Sequence, residues 1–125
     1  MSNIEEKYLE MSHKIQEKES EAGLEGLNSN ERQFYLVDSL LMELNNGGFD
    51  QYFSNSAGEF WSETFAVMEK LGITFLASLG LKANKIYHSN KSEDDKLDKF
   101  DDLDDKFYAK MEYEETYKKL LSLLS

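Results

Sequence analysis

Apolar positions along the chain recur at helical spacing from its first residues to its last. Ile4, Tyr8, Met11 and Ile15 fall at i, i+4, i+7 and i+11, which is one face of a helix. The spacing predicts a helix from about Asn3 to Glu21 with Glu- and Lys-rich outer faces. Residues 22–28, which include Gly23 and Gly26, read as a loop. The next block, Ser29 to Leu44, is the most apolar. Phe34, Val37, Leu41 and Leu44 form a stripe, and Tyr35, Leu36 and Leu40 widen it, so this helix is expected at the centre of the fold. Asn28, Ser29 or Asn30 is expected to cap its start. Asn45-Asn46-Gly47-Gly48 is expected to stop it, because Asn and Gly tolerate the left-handed conformation that ends helices. Phe49 to Phe53 then reads as a separate helical turn, and Ser54 to Gly58 as a loop with Asn55 or Ser56 as a cap.

A third helix is predicted over about Glu59 to Leu71 on Trp61, Phe65 and Met68, with Gly72 as its stop. A fourth covers about Thr74 to Tyr87 and buries Leu76, Leu79, Ala83 and Ile86. Gly80 within it costs roughly 1 kcal/mol relative to Ala and is expected to let a neighbouring helix come close. Leu97, Phe100, Leu103, Phe107 and Met111 again have helical spacing. Tyr117, Leu120, Leu121 and Leu124 mark a last helix after a break near Glu112. Proline is absent, and neither a long repeat nor a period-two strand pattern emerges. The expectation is an all-α, single-domain bundle of about five to seven helices, with residues 1–27 as an N-terminal helix and loop and 28–125 as the core.

Composition changes this picture through charge. The 125 residues carry 25 Asp plus Glu against 14 Lys plus Arg, a formal net charge of −11. A direct binder of nucleic acid needs a basic face to neutralise phosphates, and this balance is the opposite. At 40% hydrophobic and 13% aromatic, the chain is nonetheless near the globular norm. It has no Cys, which removes disulfides, thiolate zinc sites and thiol nucleophiles. No apolar run approaches the roughly 18–20 residues of a membrane span. The acidic, amphipathic start is unlike a signal peptide, so a cytoplasmic protein is expected.

Conventional chemistry finds little support in the residues. His13 and His88 are isolated, and no HExxH or His/Cys cluster accompanies them. Gly47-Gly48 lacks the context of a phosphate loop. The acidic run has no calcium-loop spacing and reads through as helix. Neither a metal nor a cofactor is expected. A pocket made from Glu43, Asn46, Gln51 and Asn55 is conceivable, but nothing in it supplies a nucleophile.

The acidic run carries a geometric possibility instead. Glu93 to Asp105 holds eight acids and two lysines. Asp94, Asp98, Asp101 and Asp105 recur at i, i+4, i+7 and i+11, which on a helix places carboxylates roughly 5–6 Å apart along one line. Phosphates of duplex DNA are spaced on a similar scale, about one charge per 1.7 Å of axis with both strands counted. With Asp95 and Asp102, these residues are the candidate partner-binding surface, and the candidate partner is a basic, nucleic-acid-binding protein. Lys96, Lys99 and Lys106 interleave with the row and oppose it.

The string Glu43-Leu44-Asn45-Asn46-Gly47-Gly48-Phe49-Asp50-Gln51-Tyr52-Phe53-Ser54-Asn55 is the most specific segment. Read structurally, Asn46 and Gln51 bond free backbone groups where the helix ends, Phe49, Tyr52 and Phe53 fill the core, and Asn55 caps the next helix. With the Phe100–Tyr108 segment, this string resembles the DNA-mimic protein family, small acidic all-helical bacterial proteins. The resemblance runs from about Phe34 to Leu124. It implies a helical fold and frequent dimerisation. It also implies a function in which surface carboxylates imitate DNA phosphates and occupy a transcription factor. Glu43, Asn46, Gly47, Gly48, Phe49, Gln51, Tyr52, Phe53 and Asn55 carry over as fold-defining positions. No mimic residue carries over, because mimicry is a surface pattern rather than a motif. Crowding of Leu120, Leu121, Leu123 and Leu124 at the end of the chain also makes a homodimer an expectation. The function expected is a non-enzymatic acidic binding protein. The alternatives are an antitoxin or immunity-type protein neutralising a basic toxin, and an uncharacterised enzyme.

Overall fold

The computed structural model describes residues 2–125. Among them are six α-helices: α1 (Asn3–Ala22), α2 (Ser29–Ser54), α3 (Trp61–Lys70), α4 (Thr74–Tyr87), α5 (Glu93–Lys110) and α6 (Tyr113–Leu121). Short 3₁₀ turns lie at Leu24–Gly26, Ser56–Phe60 and Ser122–Leu124. No strand occurs among the described residues, and the all-α expectation holds. Among the described residues, no helix is long and apolar enough to cross a membrane.

The apolar block of the sequence takes the central place its pattern predicts. α2 packs against α1, α3, α4, α5 and the final 3₁₀ turn. Phe34, Val37, Leu40 and Leu44 are fully buried along it. Its start is fixed by a capping box: Asn28 Oδ1 accepts from the Glu31 N–H at 2.8 Å, and Glu31 Oε1 accepts from the Asn28 N–H at 2.9 Å. α3 ends at Gly72, where the Ile73 N–H reaches back to the Met68 carbonyl at 2.8 Å and the Gly72 N–H to that of Glu69 at 3.1 Å. Gly80 of α4 lies against the Phe65 ring of α3, which a Cβ there would meet at 2.7 Å. The close approach expected at Gly80 is therefore that of an aromatic ring.

The expected break in α2 is present, and two other expectations need correction. The helical path that begins at Ser29 is broken at Gly48 (φ 77°, ψ −168°), and a second helical segment runs from Phe49 to Ser54, as the Asn-Gly string predicts. Among the described residues positive φ is confined to glycines, so Asn45 and Asn46 stay on the helical path and only Gly48 leaves it. Next, Leu97 does not belong to the buried stripe of α5. It is 43% exposed, while Phe100, Leu103 and Phe107 are buried. Finally, the Asn55 side chain caps nothing: it donates to Glu43 Oε2 at 2.8 Å. The terminal leucines are largely absorbed within the chain. Leu120 and Leu123 are buried, and Leu121 and Leu124 pack at the edge of the core, so their crowding does not by itself call for a second subunit.

Candidate protein-interaction surface

The kink in α2 and the acidic face of α5 are built together. A regular helix pairs each N–H with the carbonyl four residues back, and a break at Gly48 frees groups on both sides of it. α5 supplies their partners from two successive turns. Asp104 Oδ1 accepts from the Phe49 N–H at 3.0 Å, in the manner of an N-cap contributed by another helix. The Tyr108 hydroxyl donates to the Leu44 carbonyl at 2.8 Å. Tyr113, just beyond α5, donates to Asn45 Oδ1 at 2.8 Å. These residues fill the role expected of Asn46 and Gln51. Asn46 is exposed, and Gln51 lies against Gly47, where its side chain occupies the space a Cβ would take. Beyond the kink, Phe49, Tyr52 and Phe53 are buried, as their pattern predicts. Burial pushes the Tyr52 phenol up to about 12.

Asp104 thus has one side in the fold and one in the acidic surface. Burial raises its carboxyl above the ordinary aspartate range. The Phe49 N–H partly opposes the rise, and the like charges of Asp101, Asp105 and Asp50 add to it. A raised folded value makes this group's contribution to stability largest below the ordinary value of 3.8 and lost as pH rises through its own. Asp104→Asn keeps the acceptor oxygen and removes the titration. Its stability relative to the unaltered protein is therefore expected to improve as pH rises from about 4 to neutral. Asp104→Ala, which leaves the Phe49 N–H unpaired, should be the less stable variant by about 1 kcal/mol at neutral pH. Urea denaturation across pH reads both effects.

The six aspartates predicted as the interaction surface, Asp94, Asp95, Asp98, Asp101, Asp102 and Asp105, are all exposed on α5. At about 100° per residue, Asp94, Asp98, Asp101 and Asp105 fall within roughly 60° of arc, away from the buried stripe. Lys99, Lys106 and Lys110 lie roughly a third of a turn further round. Lys96 is drawn off the surface. Its Nζ donates to the Tyr87 carbonyl at 3.0 Å and sits 5.9 Å from the centre of the Tyr87 ring. The ion pairs among the described residues involve other elements, such as Arg32 with Glu63 and Lys18 with Glu31. None neutralises a carboxylate of α5.

Sequence reasoning placed the row and missed Asp104, the acid that ties it to the fold, and Asp50, the like charge beside it. Their signal was weak but present: Asp104 lies one turn from both Phe100 and Tyr108, at the boundary of the buried stripe, and Asp50 sits in the signature string itself. The pocket conceived from Glu43, Asn46, Gln51 and Asn55 is not assembled. Glu43 and Asn55 pair with each other, Gln51 covers Gly47, and Asn46 opens onto a different cleft beside Asp38.

No curated protein and no solved structure matches the chain. The model of a family described as DMP19-like protein matches residues 25–124, a span that holds the kinked helix and the acidic helix bonded to it. On that match over most of its length, the chain belongs to the DMP19-like protein family.

Proposed function

We propose that this protein is a non-enzymatic DNA mimic, whose α5 face occupies the basic groove of a nucleic-acid-binding protein. The observation that carries the reading is an exposed carboxylate row on α5 that no ion pair among the described residues neutralises. Carboxylates one helical turn apart present negative charge at a spacing comparable with that of phosphates. A field of that sign steers a basic partner over distance. Membership of the family supports the same reading. The bond from Asp104 to α2 gives the row a rigid mount, so little order has to be gained on docking.

The test is affinity capture by the immobilised protein from cells that make it, followed by measurement of Kd against salt for the captured partner. Raising salt from about 50 to about 300 mM shortens the Debye length more than twofold, and affinity is expected to fall roughly tenfold or more. A salt-independent Kd contradicts phosphate mimicry. A basic toxin as the captured partner would move the function to the antitoxin class.

A further inference from the structure

One carboxylate of this acidic protein does not face water. Asp38, midway along α2, is 3% exposed. Its Oδ1 accepts from the Tyr8 hydroxyl, and its Oδ2 accepts from the Ser12 hydroxyl at 2.7 Å and the Gln16 amide at 3.2 Å. All three donors belong to α1 and all are uncharged. Among the described residues, no Lys, Arg or His pairs with it. A carboxylate taken out of water without a cation is costly even when hydrogen-bonded.

Over Asp38 lies a cleft of about 490 Å³, within the range of small-molecule sites. Tyr8 and Tyr117 line it, their rings stacked at 3.9 Å between centroids. Met42, 43% exposed, offers an apolar wall. No Lys or Arg is among the described residues lining it, and His13 is exposed there. Gln16 spans the opening: its amide contacts Ser12 Oγ at 2.7 Å, Asp38 at 3.2 Å and Met42 Sδ at 3.4 Å. Its bond to Asp38 is the longest of the three that the carboxylate accepts. Asp38 is the one carboxylate among the residues lining the cleft, with no Lys or Arg beside it, so the local field favours positive charge. A hard metal ion needs six or more oxygen ligands, and this cleft provides one carboxylate. An organic cation can be held by one carboxylate and an apolar wall, and the cleft offers Asp38 and Met42.

We infer that the cleft between α1, α2 and Tyr117 binds a small organic ammonium ion. Its charged head pairs with Asp38 in place of the Gln16 amide, and its apolar body rests along Met42. The site is separate from the α5 face, and neither depends on the other.

The test is titration of the full chain with n-hexylammonium, followed by amide shifts in ¹H–¹⁵N NMR, with 1-hexanol and hexanoate as the neutral and anionic counterparts. Saturable shifts are expected at Ser12, Gln16, Asp38 and Asn46, with binding at least about tenfold weaker for the two counterparts. Asp38→Asn should abolish the shifts. Gln16→Ala, which removes the competing amide, should tighten binding about threefold or more. Because the Gln16 variant moves affinity in the opposite direction, it decides the matter even if Asp38→Asn does not fold. Asp101→Asn/Asp105→Asn should leave binding unchanged. Shifts confined to α5, equal binding of 1-hexanol, or unchanged or weaker binding by Gln16→Ala each overturn the assignment.

Discussion

Gly48→Ala is expected to destabilise the protein by about 3 kcal/mol, a large part of the 5–15 kcal/mol that typically holds a domain together. Two effects add. The backbone at φ 77°, ψ −168° lies in a region that is essentially glycine-only, with a strain of roughly 1–3 kcal/mol for other residues. A Cβ there would also run into the carboxylate of Asp104, displacing the acceptor that satisfies the Phe49 N–H. The neighbouring substitution is the control. Gly47 has no positive φ; a Cβ there meets the Gln51 side chain, whose amide can turn away and whose Cβ, 2.9 Å off, needs a small backbone adjustment. Gly47→Ala should therefore cost clearly less than Gly48→Ala, since it adds no φ strain and the higher helix propensity of Ala offsets part of the adjustment. Combining Gly48→Ala with Asp104→Ala should be less damaging than the sum of the two, because each disrupts the same contact. Urea denaturation of the four variants measures all of this. A Gly48→Ala protein within about 0.5 kcal/mol of the unaltered one would contradict the account of the kink.

Neutralising Asp98, Asp101 and Asp105 together as Asn is expected to weaken partner binding on the order of ten- to a hundredfold while leaving the fold intact. These side chains make no hydrogen bond or ion pair within the described residues, and all three are exposed. Removing them also relieves like-charge repulsion, so thermal stability should hold or rise slightly. The salt dependence of the residual binding should flatten, since fewer charges take part. Calorimetric titration at two salt concentrations against the captured partner, with thermal denaturation alongside, reads the three effects. Full affinity in the triple variant would place the docking surface elsewhere on the molecule.

The helices were legible because each carries a local signal: a stripe of apolar residues at 3.6-residue spacing and a cap or glycine at its end. The Thr74–Tyr87 helix and the break near Glu112 come directly from such signals. The break at Gly48 was legible too, but the groups that hold it were not. Asn45-Asn46-Gly47-Gly48 has the composition of a helix stop, and locally it is one. The helix resumes because Asp104 and Tyr108, far along the chain, satisfy the groups the break exposes. Leu97 fails for a related reason. Spacing places it near the edge of the stripe, but burial at an edge depends on the neighbouring helix. The acidic row was readable as a line of charges. Its freedom from ion pairs was not, because whether Lys99 and Lys106 reach it depends on side-chain placement that spacing does not fix. The Asp38 network was hidden altogether, since its donors lie a helix away on α1.

The α5 face and DNA are expected to compete for one basic surface of the partner. The most direct measurement is fluorescence anisotropy of a labelled duplex bound to the captured partner, titrated with this protein. The account predicts that the protein displaces the duplex, with a midpoint that rises in proportion to partner occupancy by DNA, and that the Asp98, Asp101, Asp105 variant does so far less well. A ternary complex in which duplex, partner and protein are bound together would contradict it.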